Sequence, residues 1–278
     1  VIRALSLLEM LVKAGCPLVF KGGTALMLIL GKSAHRLSID IDLICPPGTN
    51  IEDYLKSFAD FGFINLELVE RKQRDDADIP KSHSKFFYQI AYRNDTDAQS
   101  YILLDVLYED IHYFRTQQIA INCPFIRLEG KPLMVTVPSA EDILGDKLTA
   151  FAPNTTGIPY YRNGRSCSME IAKQLYDVGR LFENVSDLQI TKEAFRKIAV
   201  VELSYRSFGT DIGQVFNDIR QTALCISTRG KAGEGDFDLI QDGIIRVKSF
   251  MYKQRYLIDH AIIDAARAAY LATLIEKG

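Results

Sequence analysis

Between Phe20 and Leu43 the chain reads FKGGTALMLILGKSAHRLSIDIDL, so a glycine pair opens a short apolar segment and two aspartates, Asp40 and Asp42, return one residue apart. Cys16 to Phe20 reads as a buried strand. Gly22 and Gly23 let the backbone turn so that amides at the following helix N-terminus face an anion, and Thr24 adds a hydroxyl there. A helical run from Ala25 to Leu30 closes at Gly31 and leads through a loop with Arg36 and Ser38 into a second strand, Ile39 to Cys45. Alternate side chains of a strand share a face, so Asp40 and Asp42 project together while Ile39, Ile41 and Leu43 pack on the other. Two carboxylates side by side repel each other and call for a cation between them. Magnesium suits this role, because it takes a few carboxylate oxygens together with water and phosphate oxygens. A pair of Mg2+ ions holds both the attacking and the leaving oxygen of a phosphoryl displacement. Either half alone equally fits a solvent-facing strand edge or an ordinary turn. The two halves together, joined by ArgLeuSer, favour metal and polyphosphate.

This segment resembles the DNA-polymerase-β-type nucleotidyltransferases, and among them the AbiEii-type abortive-infection toxins, whose signature is GG-T-x-L followed by R-x-S-x-D-x-D-L. Here that pattern is Gly22, Gly23, Thr24, Leu26, then Arg36, Ser38, Asp40, Asp42 and Leu43. Ordered pieces of the resemblance run from about Lys21 to about Leu181.

Three further residues carry chemistry. Asp105 interrupts the apolar run SYILLDVL, where a lone buried carboxylate is expensive. The resemblance implies a third metal-site acid there, while a strand with one wet face accounts for it as well. Lys147 follows Ile143 and Leu144 at helical spacing, which sets its ammonium on the buried side of a helix. A lysine snorkelling at the core margin does this too. The resemblance instead implies a nucleotide-binding lysine, offsetting charge as pyrophosphate leaves. Lys173 and Asp177 form an i,i+4 pair in the weaker order. The stretch around them is similar to the family motif K-D-x-x-D-x-x-x-L, in which the second aspartate acts on the acceptor hydroxyl. That motif implies Asp177 as a catalytic base, with Gln174 standing where the family more often has aspartate.

The elements that position these residues predict an α+β chain. Asn50 to Phe61 reads as a helix, Ile64 to Arg71 as a strand, and Ser84 to Arg93 with Ser100 to Leu107 as a β-pair around AsnAspThrAsp. Short strands between Ile119 and Val137 precede a helix capped by Ser139. A helix over Met169 to Glu183 and further helices over Lys192 to Tyr205, Ile212 to Ile226 and Phe237 to Ile275 complete the chain. The expectation is an N-terminal mixed β-sheet nucleotidyltransferase core (residues 1–138) followed by a helical C-terminal half (139–278) that completes the active-site groove.

At 278 residues, 47% hydrophobic and 24% charged, the sequence is that of an ordinary enzyme with a sizeable core. It has no apolar run of membrane-spanning length and no cationic leader, so a cytoplasmic location is expected. Five scattered cysteines without a CxxC pair argue against disulfides or a zinc cluster and read as small buried residues. A net charge of −2 excludes a strongly basic nucleic-acid footprint. The basic run at 71–74, with Lys81 and Lys85, is interrupted by aspartates and reads as a solvated loop. Tyr160, Tyr161, Arg162 and Arg165 in the loop Pro153 to Ser168 suit a single-stranded acceptor end as well as they suit a flexible connection. The late basic residues Arg246, Lys248, Lys253, Arg255 and Arg267 fit either the groove or the wet face of a helix bundle.

The combined expectation is a Mg2+-dependent enzyme that moves a nucleoside monophosphate from an NTP to an acceptor hydroxyl. Asp40, Asp42 and Asp105 hold the metals, Gly22, Gly23, Thr24, Arg36 and Ser38 cradle the triphosphate, and Lys147 and Asp177 assist. By resemblance the acceptor is the 3′ end of tRNA and a cognate antitoxin controls the toxin. The alternatives are transfer to an aminoglycoside-type small molecule and a silent nucleotide-binding module.

Overall fold

The computed structural model describes residues 1–68, 80–89, 99–206 and 211–278. The chain divides into two compact units, one of Val1–Ile111 with Thr116–Pro138, the other of His112–Arg115 with Ser139–Gly278.

The first unit opens with α1 (Ile2–Lys13), whose Ala4, Leu5, Leu7, Leu8 and Leu11 fall at helical spacing and are buried. Then come β1 (Val19–Lys21), α2 (Gly22–Leu30), β2 (Ile41–Cys45), β3 (Asn65–Leu68), β4 (Lys81–Gln89) and β5 (Gln99–Tyr108). Among the described residues these strands form one mixed sheet in the order β1-β2-β5-β4-β3, in which β2 and β5 run parallel and the other neighbours antiparallel. β6 (Thr116–Ala120) and β7 (Met134–Pro138) pair as a separate hairpin. Phe20, Ile41, Leu43, Phe86 and Leu104 are buried in the core, and Phe63 meets Phe86 edge-on at 5.4 Å. Such fully buried side chains contribute about 1.5–3 kcal/mol each.

Two expectations change here. Asn50 to Phe61 is two single 3-10 turns, Ile51–Tyr54 and Phe58–Phe61, rather than one helix. The break lets Ile51, Leu55 and Phe63 all reach the core. The strand that begins at Ile39 in the sequence reading begins at Ile41, and Ile39 is exposed rather than packed. The strand expected over Ile64 to Arg71 is seen as Asn65–Leu68. The basic run at 71–74 and the turn at 94–97 lie outside the described residues.

The second unit is helical: α3 (Ala140–Ala150), a small hairpin of β8 (Tyr161–Arg162) and β9 (Arg165–Ser166), then α4 (Ser168–Phe182), α5 (Leu188–Tyr205), α6 (Ile212–Ser227), α7 (Phe237–Val247) and α8 (Ile258–Lys277). Ser139 caps α3 by accepting from the Asp142 backbone N–H at 3.1 Å, and Asp142 in turn accepts from the backbone of Phe114 and Arg115. Asp187, Asp211 and Asp236 cap α5, α6 and α7 in the same way. Gly145 lets α3 and α5 touch, since a Cβ there would lie 2.7 Å from the Phe195 nitrogen. The long helix expected from Phe237 to Ile275 is broken between α7 and α8. Tyr256 is buried against Tyr176 at 5.1 Å, and His260 Nδ1 accepts from the Leu257 N–H to start the new helix. None of the described helices is long and apolar enough to cross a membrane.

Candidate active site

The sheet register brings four ionisable side chains into one row. Lys21 on β1 is opposite Asp42 on β2, Asp42 is beside Asp105 on β5, and Asp105 is opposite His83 on β4. Register partners on paired strands point to the same face, so the row reads cation, acid, acid, imidazole along one surface of the sheet. Its neighbours on the other face are apolar: Leu43, Leu104 and Val106 are buried while Asp42 and Asp105 are half-exposed. This alternation is why the acids stay accessible in the middle of a sheet.

Asp42 is packed directly against the glycine turn. Gly22 has φ +76°, the left-handed region that glycine adopts freely, and a Cβ at this position would overlap Asp42 Oδ2 and come within 2.7 Å of its Cγ. A Cβ at Gly23 would lie 2.8 Å from Ser38 Oγ and 3.0 Å from Arg36 Nη2. The four motif pieces are therefore in one place: the two glycines, the buried Arg36, Ser38 and Asp42. The Lys21 cap of α2 supplies no side-chain acceptor, and the first amides of a helix have no partner within it, so Gly22 and Gly23 present N–H groups suited to an anion. Thr24 plays a different part from the one expected of its hydroxyl. It is fully buried and donates to the Asp40 carbonyl at 2.7 Å, which ties α2 to the entry of β2. Asp40 itself is exposed and lies just outside the strand.

Among the described residues no three Asp, Glu, His or Cys side chains are grouped so that they could hold a metal ion. Asp42 and Asp105 instead make an open pair of carboxylates, with Asp42 packed against the glycine turn. That donor set fits Mg2+, which keeps several waters and binds through one or two carboxylates plus substrate phosphates.

In the second unit, Lys147 on α3 is buried and donates to Gln174 Oε1 at 2.9 Å, with Asp177 Oδ2 at 3.2 Å. Lys147 and Asp177 are thus partners across two helices. The Lys173 ammonium sits 3.7 Å from the centroid of the Phe250 ring. Gln174, the departure from the family motif, is the residue that completes the lysine's shell. Arg267 binds Glu183 and Asp264, which accounts for it as part of the helix packing.

The loop from Pro153 is firmly built. Buried Asp218 accepts from the Asn154 N–H, the Asn154 amide and the Thr155 hydroxyl at 2.8–2.9 Å, and from Thr222 at 3.2 Å. Its hairpin turns on Asn163 (φ 51°) and Gly164 (φ 74°), which leaves Tyr161, Arg162 and Arg165 exposed. The Tyr160 hydroxyl is buried, which pushes its pKa up to about 12. All five cysteines are free, four of them buried and Cys167 half-exposed.

Sequence reasoning missed Lys21, His83 and Asp218. The first two lie beside the acids only through strand register. A signal for His83 existed in the alternation of SHSKF, which puts it on the face opposite Phe86.

A two-carboxylate edge beside a glycine-opened helix N-terminus is the equipment of phosphoryl transfer, and the sequence comparison agrees. The family model of the nucleotidyl transferase AbiEii toxin, type IV toxin–antitoxin system, matches residues 5–256. The chain belongs to this family of nucleotidyltransferases, whose systems pair a toxin with an antitoxin. No curated protein matches the sequence. Similar solved structures include JHP933 from Helicobacter pylori, at 17% identity and TM-score 0.46, covering 98% of this chain and 89% of that one. A second H. pylori chain, solved as a candidate nucleotidyltransferase, is 18% identical with TM-score 0.45, over 98% of this chain and 92% of that one.

Proposed function

We propose that this toxin is a cytoplasmic, Mg2+-dependent enzyme that transfers a nucleoside monophosphate from an NTP to a hydroxyl of an RNA, with the 3′ end of tRNA as the acceptor. The observation that carries this reading is the register setting Asp42 beside Asp105, with Gly22 cut away to admit the Asp42 carboxylate. Asp42 and Asp105, with Asp40, would hold the metal. A Mg2+ ion held there would supply positive charge for phosphate oxygens and for an attacking hydroxyl. The Gly22 and Gly23 amides, Arg36 and Ser38 bind and orient the triphosphate, turning a bimolecular reaction into a positioned one. Thr24 keeps the acid-bearing strand fixed to that anion site. Lys147 supplies positive charge for the departing pyrophosphate, and Asp177 a carboxylate able to take the proton of the acceptor hydroxyl. Tyr161, Arg162 and Arg165 offer a ring and two guanidinium groups for an unpaired nucleotide end.

The test is incubation of the protein with each labelled NTP, Mg2+ and total RNA, beside an Asp42→Ala control. Label entering the tRNA fraction only with the intact aspartate is the expected result. Label reaching only an added aminoglycoside, or nucleotide binding with no transfer at all, overturns it.

A further inference from the structure

His83 belongs to no motif in the sequence, yet it makes a close side-chain contact within the acid row. It is buried, it faces Asp105 across the β4–β5 ladder, and its Nδ1 lies 2.5 Å from Asp105 Oδ1. An ionised carboxylate only accepts, so in this pair Nδ1 carries the hydrogen and the imidazole donates. The contact answers a problem set by the register. Asp42 and Asp105 sit side by side, and like charges directly opposite one another are driven apart. A half-exposed carboxylate beside another acid would turn away from it to reduce the repulsion. A donor fixed on the neighbouring strand holds one oxygen of Asp105 in place and leaves the other as its remaining donor atom.

We propose that His83 is a positioning residue of the metal site, donating its Nδ1–H to Asp105 so that this carboxylate stays oriented to share a divalent cation with Asp42. The inference rests on the metal-dependent reading above. Outer partners of this kind tune metal affinity by fixing the ligand before the ion arrives. The geometry also selects the side chain. The amide nitrogen of Asn stands about where Nδ1 stands, whereas that of Gln falls where Nε2 stands, so the hydrogen bond survives one replacement and not the other.

The experiment titrates the full chain with Mn2+ and each of the four α,β-methylene NTPs, which resist transfer. The enhancement of water-proton relaxation reports the bound ion, and thermal unfolding is followed in parallel. Wild type is expected to bind Mn2+ with at least one analogue, and Asp42→Ala to lose that binding. His83→Leu and His83→Gln should weaken binding by about ten- to a hundredfold. His83→Asn should remain within about threefold of wild type, since it restores the donor. Equal binding by His83→Leu and wild type, with Asp42→Ala still defective, overturns the role of His83 alone. So does His83→Asn binding as poorly as His83→Gln, because His83 would then matter only for packing. If His83→Leu does not fold, the Asn and Gln variants decide. Wild type and Asp42→Ala behaving alike overturns the metal reading, and the role of His83 with it.

Discussion

Two clusters of charge in this protein are built on opposite principles. In the first unit, Asp42 and Asp105 are like-signed neighbours, half-exposed and held together by strand register, with Lys21 and His83 at the ends of the row. In the second unit, Lys147 and Asp177 are opposite-signed and buried, with side chains only 8% and 3% exposed, and they neutralise each other as the helices pack. Folding works against charge repulsion in the first cluster and completes a pair in the second. Damage to the acid row should therefore show in chemistry with little loss of fold, whereas damage to the lysine pair should show in the fold as well as in chemistry.

The sharpest way to break this contrast is Asp42→Asn. Transfer of label to RNA should fall at least about a thousandfold, equivalent to roughly 4 kcal/mol of transition-state stabilisation. Urea unfolding should move by no more than about 1 kcal/mol, because relief of the like-charge pair with Asp105 is offset by loss of the opposite charge facing Lys21. A large loss of stability would mean that Asp42 is a structural anchor and that the contrast is false. Next in size is Lys147→Met, which leaves Asp177 buried without its cation and should cost about 3–5 kcal/mol in urea unfolding. Adding Asp177→Leu should recover much of that loss. A double variant as unstable as the sum of the two singles would show that the residues do not act as a pair.

The sequence made the acid row half-legible. Strand periodicity and the motif spacing pointed to Asp42 and to Asp105, because each lies in a short apolar run whose alternation is local. What joins them, and what brings Lys21 and His83 alongside, is pairing between strands far apart in sequence, which no local pattern encodes. Lys147 was legible as a lysine on an apolar helix face, but its partner was not. Spacing offered Asp177 to Lys173 on the same helix, and tertiary packing gave it Lys147. The stretch from Phe237 to Ile275 misled for a related reason. The sequence between α7 and α8 contains neither glycine nor proline to stop a helix. The break is made by burial of Tyr256 and by a cap from His260, both set by the fold around them.

Gly22→Ala sharpens the comparison from the backbone side. At φ +76° an L side chain is strained by about 1–2 kcal/mol, and the new methyl would occupy the space of the Asp42 carboxylate. The expected outcome is a modest drop in unfolding free energy together with a loss of transfer approaching that of Asp42→Asn. A variant that loses stability and keeps full activity would show that the close approach of turn and acid has no catalytic consequence.

The smallest effect concerns Asp218, a third arrangement in which a buried carboxylate is held by neutral donors instead of a cation. Burial raises its pKa above the ordinary 3.8, although the donors from Asn154, Thr155 and Thr222 pull the other way. The folded state then binds the proton more tightly than the unfolded chain. The contribution of this group is fully present below the ordinary carboxylate value and is lost as pH rises through the folded value. Asp218→Asn has no proton to exchange. The wild type should therefore exceed the variant in stability by most at the acid end, with the gap shrinking as pH rises from 3.8 and levelling above the folded pKa. Unfolding free energies of both proteins across that interval decide the matter. A gap that widens with pH would mean that the four donors outweigh desolvation, so that buried carboxylates here need no cation to remain charged.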